Sequence, residues 1–272
     1  MFKKTIHSYI SKSENIISYF NSSDLMMNWN GIRQLDDENY LMVGQNIDKK
    51  GVVYIGPVNG KGFYSNLKIP IEKTSINKIH IDKIHVDKIH VNKIKRSSIY
   101  SGEHLENKIF RLVGSYSNSE FSTVGIMSFI YTGKISQKEF ANINNYIFIE
   151  PPLGQFNIVF HSISNKLIVA NSDITIGSFN KQGLIYDLNK QIITSVKYPN
   201  SLYTNVYGIW YNSDLNNYTI VGGYTESIYP TVINILSNKL IFFEKGFIVD
   251  YDFNNNIFSN WTTIELIEPS IK

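Results

Sequence analysis

One strand–turn–strand layout recurs along this chain, and self-similarity at a fixed period admits few folds. The clearest copy reads TNVYGIWYNSDLNNYTIVGGYTE over residues 204–226, and MNWNGIRQLDDENYLMVGQN has the same layout over 27–46. In both, a short strand ends in Gly-Ile, a polar turn follows, and an aromatic-led strand ends in Val-Gly. Gly31 and Gly44 are 13 residues apart, and Gly208 and Gly222 are 14 apart. A third copy, SIYSGEHLENKIFRLVGSY (98–116), puts 12 residues between Gly102 and Gly114. A fourth, NIVFHSISNKLIVANSD (157–173), carries Ala170 where the others have Gly.

A second kind of hairpin lies between these copies: 50–70, 125–146, 182–199 and 246–266. Each has a Gly, an apolar strand with Tyr near its end, a polar turn and a second strand. Two hairpins of alternating kind make a four-stranded meander, the unit of a propeller blade. The Val-Gly and Val-Ala marks are 70, 56 and 52 residues apart, and without the 21 residues of 76–96 the first interval becomes 49. Blades run to about 40–50 residues. The expectation is an all-β chain, a small β-propeller of four to five blades built from antiparallel four-stranded meanders and filling 1–272 as a single domain. Composition agrees: 18 Tyr and 16 Phe in 272 residues suit a half-buried pleated surface, and 43% hydrophobic residues supply a sizeable core.

The segments YGIWYN, NYTIVGGY, FIVDYD and FSNWTTIEL resemble poorly characterised, repeat-rich bacterial proteins with YGIW, YTIxGGY, DYD and FxNWT units. The resemblance is clearest over 182–266, weaker over 27–146 and absent at 76–96. It implies a propeller-like repeat, and it carries no catalytic residue, because the shared positions are turn glycines and strand aromatics.

Two segments need separate treatment. Residues 4–20 place Ile6, Tyr9, Ile10, Ile16, Ile17 and Phe20 at helical spacing, yet 8–32 also parallels 185–209, and that registration favours a hairpin. Residues 76–95 read INKIH-IDKIH-VDKIH-VNKIK, a five-residue period that fits neither helix nor strand cleanly. The bland account of 76–96 is a tolerated surface insertion, since long loops cost little. Lys78, Lys83, Lys88, Lys93, Lys95 and Arg96 against Asp82 and Asp87 give it a net charge of +4 in a chain of +3. It is therefore a candidate contact for polyanions. His80, His85 and His90 are candidate metal ligands, although a spacing of five does not make them converge.

Chemistry is otherwise sparse. With no cysteine, thiol catalysis and disulfides are excluded, and no phosphate-cradling, dinucleotide-binding, HExxH or GxSxG motif occurs. No cofactor is expected. The start lacks a secretory signal and no apolar run is long enough to span a membrane, which gives a cytoplasmic location by default. Candidate carboxylates for glycoside hydrolysis are Asp36, Asp37, Glu103, Asp173, Asp187, Asp214, Glu226, Asp250 and Asp252, most of them in turn-like contexts. His104 and His161 stand apart from any Ser–acid arrangement. Trp29, Tyr207, Trp210, Tyr211, Tyr224 and Trp261 are either a contact surface or inter-sheet packing. The expected function is non-enzymatic recognition of a protein or glycan. The alternatives are a carbohydrate-active enzyme with carboxylates in a central channel, and a structural component of a viral or secreted assembly.

Overall fold

Asn and Asp set the turns of this molecule. A side-chain oxygen of Asp36, Asp187, Asn212 and Asp252 accepts from two backbone N–H groups two and three residues on, at 2.8–3.3 Å. These local bonds close the turn before any long-range contact forms. Several turns also place a residue at positive φ: Gln191 after Asp187, and Asn107, Asn165, Asn216 and Asn256 with φ of 49–60°, a conformation Asn tolerates better than most residues.

The computed structural model describes residues 27–57, 61–70, 94–117, 125–174, 181–226, 232–234, 239–241 and 245–264. The described residues are predominantly β, in antiparallel sheets, as expected. Both readings of residues 4–20, and most of the 76–96 insertion, lie outside them. By internal packing the chain divides into two compact units, Met1–Gly125 with Phe129–Phe148, and Ile126–Ser128 with Ile149–Lys272.

The first unit contains two four-stranded meanders. One runs β1 (Asn28–Gln34), β2 (Tyr40–Gln45), β3 (Gly51–Gly56) and β4 (Phe63–Asn66); the other runs β5 (Arg96–His104), β6 (Phe110–Ser117), β7 (Met127–Gly133) and β8 (Tyr146–Ile149). A one-turn helix α1 (Gln137–Phe140), capped by Ser136, replaces the simple turn expected between β7 and β8. The first strand of the second meander is held by the β2–β3 corner. Ser97 N–H donates to the Lys49 carbonyl, the Ser97 hydroxyl accepts from Gly51 N–H, and Gln45 Nε2 donates to the Ser97 carbonyl. Leu41 and Leu112 fill the space above Gly102, and both are about fully buried.

The second unit holds β9 (Ile158–Ser164), β10 (Leu167–Asp173), β11 (Lys181–Asp187) and β12 (Ile192–Val196), then β13 (Ser201–Asn212), β14 (Asn217–Glu226), β17 (Lys245–Asp252) and β18 (Ile257–Ile264). A short hairpin, β15 (Val232–Asn234) with β16 (Lys239–Ile241), is interposed before β17, yet β14 and β17 still pair directly. A single parallel bridge, Gln182 to Thr204, joins the two meanders by backbone. Their core is Leu167, Val169 and Ile185 from one side and Val206, Ile220, Phe247 and Val249 from the other, all buried.

The Val-Gly marks have a specific structural cause. In all four meanders the pairing of the first two strands slips by one residue, leaving Asn30, Tyr100, His161 or Tyr207 as the extra residue of a β-bulge. Opposite each bulge stand Val43-Gly44, Val113-Gly114, Val169-Ala170 and Val221-Gly222. The bulge presses a carbonyl onto the glycine: a Cβ on Gly44, Gly114 or Gly222 would lie 2.0–2.1 Å from the oxygen of Asn28, Ser98 or Asn205. No side chain fits there without moving backbone. We expect Gly114→Ala and Gly222→Ala each to lower stability by ~2–4 kcal/mol. Ala170→Gly, where a methyl is already accommodated, should cost no more than about 1 kcal/mol. Urea unfolding of the three variants checks the contrast, and equal losses would refute it.

Candidate binding surface

The bulges also decide which side chains the first strands present. In the first unit β1 and β5 are neighbours. Asn30 Nδ2 donates to Ser98 Oγ at 2.8 Å and to the Ile99 carbonyl at 2.9 Å, and the Tyr100 carbonyl sits over Gly31. In the second unit β9 and β13 repeat this proximity. The amide of Asn171 clasps Val206 from both sides, donating to its carbonyl at 3.1 Å and accepting from its N–H at 2.8 Å. This brings the bulge residues His161 and Tyr207 together, rings perpendicular with centroids 5.5 Å apart. Tyr207 keeps 45% of its surface exposed, while His161 is half-buried.

The surroundings of His161 fix its charge. Burial pushes its pKa from 6.5 down to about 4, and the positive charge of Lys181 pushes the same way. The imidazole is therefore neutral at physiological pH, and with the Tyr207 ring it offers an uncharged, aromatic, hydrogen-bonding surface.

The other aromatic candidates divide. Trp210 is 54% exposed, with its ring edge over Gly208. Tyr224 is buried and stacked on Tyr198 at 3.6 Å. Trp261 packs edge-on against Tyr198 and lies beside Phe247, and Tyr211 packs on Tyr218. Trp29 is half-buried against Tyr54. Tyr207 and Trp210 are thus the two aromatics of the set that face solvent.

The carboxylates are dispersed. Asp36 and Asp252 sit in exposed turns, where hydrogen bonds from Asn39 and Asn255 hold each below the usual carboxylate range. Asp37 and Asp214 are exposed in turns. Glu103 is buried and bonds Arg111 at 3.0 Å, with Arg33 at 3.8 Å. Asp173 accepts from Asn157, and Glu226 pairs with Lys245 at 2.9 Å. Asp250 accepts from Thr219 and Asn260. His104 is exposed at the end of β5, its ring 4.9 Å from Phe110. The role of Asn30 and His161 as bulge residues escapes a reading of spacing alone, although the Val-Gly and Val-Ala steps opposite them were its visible trace.

Of the insertion, Lys95 and Arg96 are described; Lys95 is exposed, and Lys50 Nζ donates to its carbonyl at 3.0 Å. Lys78, Lys83, Lys88, Lys93, His80, His85 and His90 lie outside the described residues. Among the described residues no group of three or more His, Asp or Glu is placed to hold a metal ion, and no helix is long and apolar enough to cross a membrane. No protein-family model matches the chain. No curated protein matches it either.

The depressed pKa of His161 has a thermodynamic consequence. Between pH about 6.5 and about 4 the unfolded chain binds a proton that the folded chain refuses, so stability falls as pH is lowered through that window. The limiting slope is about 1.4 kcal/mol per pH unit. His161→Gln should flatten this part of the stability–pH curve while leaving values above pH 7 less affected. An unchanged acid limb would show that His161 is readily protonated in the fold.

Proposed function

We propose that this chain is a non-catalytic recognition module, a small β-propeller each of whose blades carries a bulge on its first strand. The partner is a protein or a glycan that meets the uncharged surface of Tyr207 and His161. The observation that carries this reading is the shared bulge. All four meanders place an extra residue at one register of the first strand, and within each unit successive bulges are adjacent. A propeller gives that regularity a purpose, because it aims one side chain per blade at a common line. The resemblance of 182–266 to propeller-like repeats supports the same reading.

Non-catalytic recognition is favoured over hydrolysis by how the acids are used. A glycosidase needs two carboxyl groups facing each other across about 5–10 Å of open site. Here Asp36, Asp187 and Asp252 close turns, and Glu103 and Glu226 answer cationic side chains.

A glycan array probed in parallel with a protein pull-down tests the proposal. Wild type should retain one ligand class, and Tyr207→Ala should weaken retention by about tenfold or more, as expected for an exposed aromatic hot spot. Deleting 76–96 should leave that class bound. Turnover of chromogenic glycosides that is lost on removing one carboxylate would overturn the reading in favour of an enzyme.

A further inference from the structure

A cavity of about 110 Å³ lies in the second unit, where the ends of β10, β11 and β12 meet the β17–β18 turn. Asp187, Lys190, Thr194, Tyr251, Phe253 and Asn256 contribute to its wall, and apolar side chains of the three strands complete it. Asp187 is 4% exposed. Its Oδ1 is used by the turn, accepting from the N–H groups of Asn189 and Lys190 at 2.8 and 3.2 Å. Its Oδ2 is buried and has no hydrogen-bond partner among the described residues.

Comparison within the molecule shows that this is unusual. Asp250 occupies the matching register of β17: it stands opposite Thr219, three residues before Gly222, as Asp187 stands opposite Leu167, three residues before Ala170. Both oxygens of Asp250 accept from side chains, Thr219 at 3.3 Å and Asn260 at 2.9 Å. The buried carboxylate lacks what the more open one has. Leaving a buried acceptor unmatched costs about 1–3 kcal/mol, and more for a charged group.

We propose that this cavity is a binding site for a hydroxyl-bearing ligand, a small polyol or the edge of a sugar residue, with Asp187 Oδ2 accepting from one hydroxyl. A water molecule answering that oxygen needs only about 10–15 Å³ on this measure of volume, so the space is several times what one water requires. The wall supplies both partners a hydroxyl uses. Asp187 accepts, and the Lys190 ammonium donates. Thr194 and Asn256 add polar groups, with Asn256 Oδ1 already oriented by the Tyr251 hydroxyl at 2.8 Å. The Tyr251 and Phe253 rings give the apolar wall that sugar C–H groups prefer. Lys166 and Lys190 lie 3.9 and 4.6 Å from the Phe253 ring centroid, and that positive field favours a neutral hydroxyl donor over an organic cation. The site is separate from the Tyr207 surface and does not rest on the propeller reading.

The test is amide chemical-shift mapping on the full chain, titrated with glycerol, D-glucose, D-galactose, N-acetyl-D-glucosamine and n-butylammonium chloride. The expected result is millimolar binding of a hydroxyl probe, with shifts centred on Lys190, Thr194 and Asn256. Glycerol binding as well as the sugars would identify a free polyol site; binding of one sugar alone would identify a glycan residue. Asp187→Asn keeps the Oδ1 acceptor that closes the turn but places a donor in the cavity, and binding should fall by about tenfold. Thr194→Val, which leaves that turn intact, should weaken binding at least threefold even if the Asn variant proves unstable. No shift at these amides with any hydroxyl probe up to about 100 mM, or binding of butylammonium alone, would overturn the proposal.

Discussion

The contact between a bulged first strand and the glycine opposite it organises each meander. A bulge adds local twist and turns one side chain away from the regular alternation, and it does so at the cost of driving a carbonyl into the neighbouring strand. Only a residue without a side chain, or with a methyl and some local adjustment, accepts that carbonyl. The position of the bulge then sets which residues of β1 and β9 meet the neighbouring first strand of the same unit, β5 or β13. Asn30, the bulge residue of β1, reaches Ser98 and Ile99 of β5 from this placement, and Asn171 clasps Val206 beside the bulge of β13.

Much of this was legible in the sequence because turn chemistry and strand periodicity are local. The hairpins around QLDDEN, YNSDLNN and YDFNNN follow from Asx side chains and αL-tolerant Asn residues acting within a few positions. The Val-Gly marks were equally visible, although their reason was not, since the carbonyl that excludes a side chain belongs to another strand. The aromatic set was ambiguous for the same reason. Tyr207 and Tyr224 are indistinguishable by composition, and a stacking partner such as Tyr198 is what separates a core residue from an exposed one. Asp187 shows the limit most clearly. Its DLNK context reads as an ordinary turn, and the isolated Oδ2 emerges only when β17 and its turn cover the same space.

Energetically, the second unit relies on side chains where a continuous sheet would rely on backbone. One parallel bridge connects its two meanders, so the joint between them is carried by the apolar core and by the Asn171 clasp. A hydrogen-bonded amide that satisfies both groups of Val206 is worth more here than on a surface, because either backbone group left alone would be buried and unmatched. The neutral His161 belongs to the same economy: it fills a bulge position without bringing a charge into it.

The meanders are also asymmetric from end to end. Where the first strand turns into the second, and the third into the fourth, the crossings are mostly short and several are locked by Asx oxygens. At the opposite end β14 reaches β17 across an interposed hairpin, and β4 leads to β5 through the stretch that holds the pentapeptide array, with strand pairing on either side intact. Length therefore varies at either end of a meander, since β7 also reaches β8 through α1. Tandem duplication between β4 and β5 therefore lengthens a connection without disturbing the register of either flanking meander, so new recognition can be added there while the pairing that sets the frame is kept.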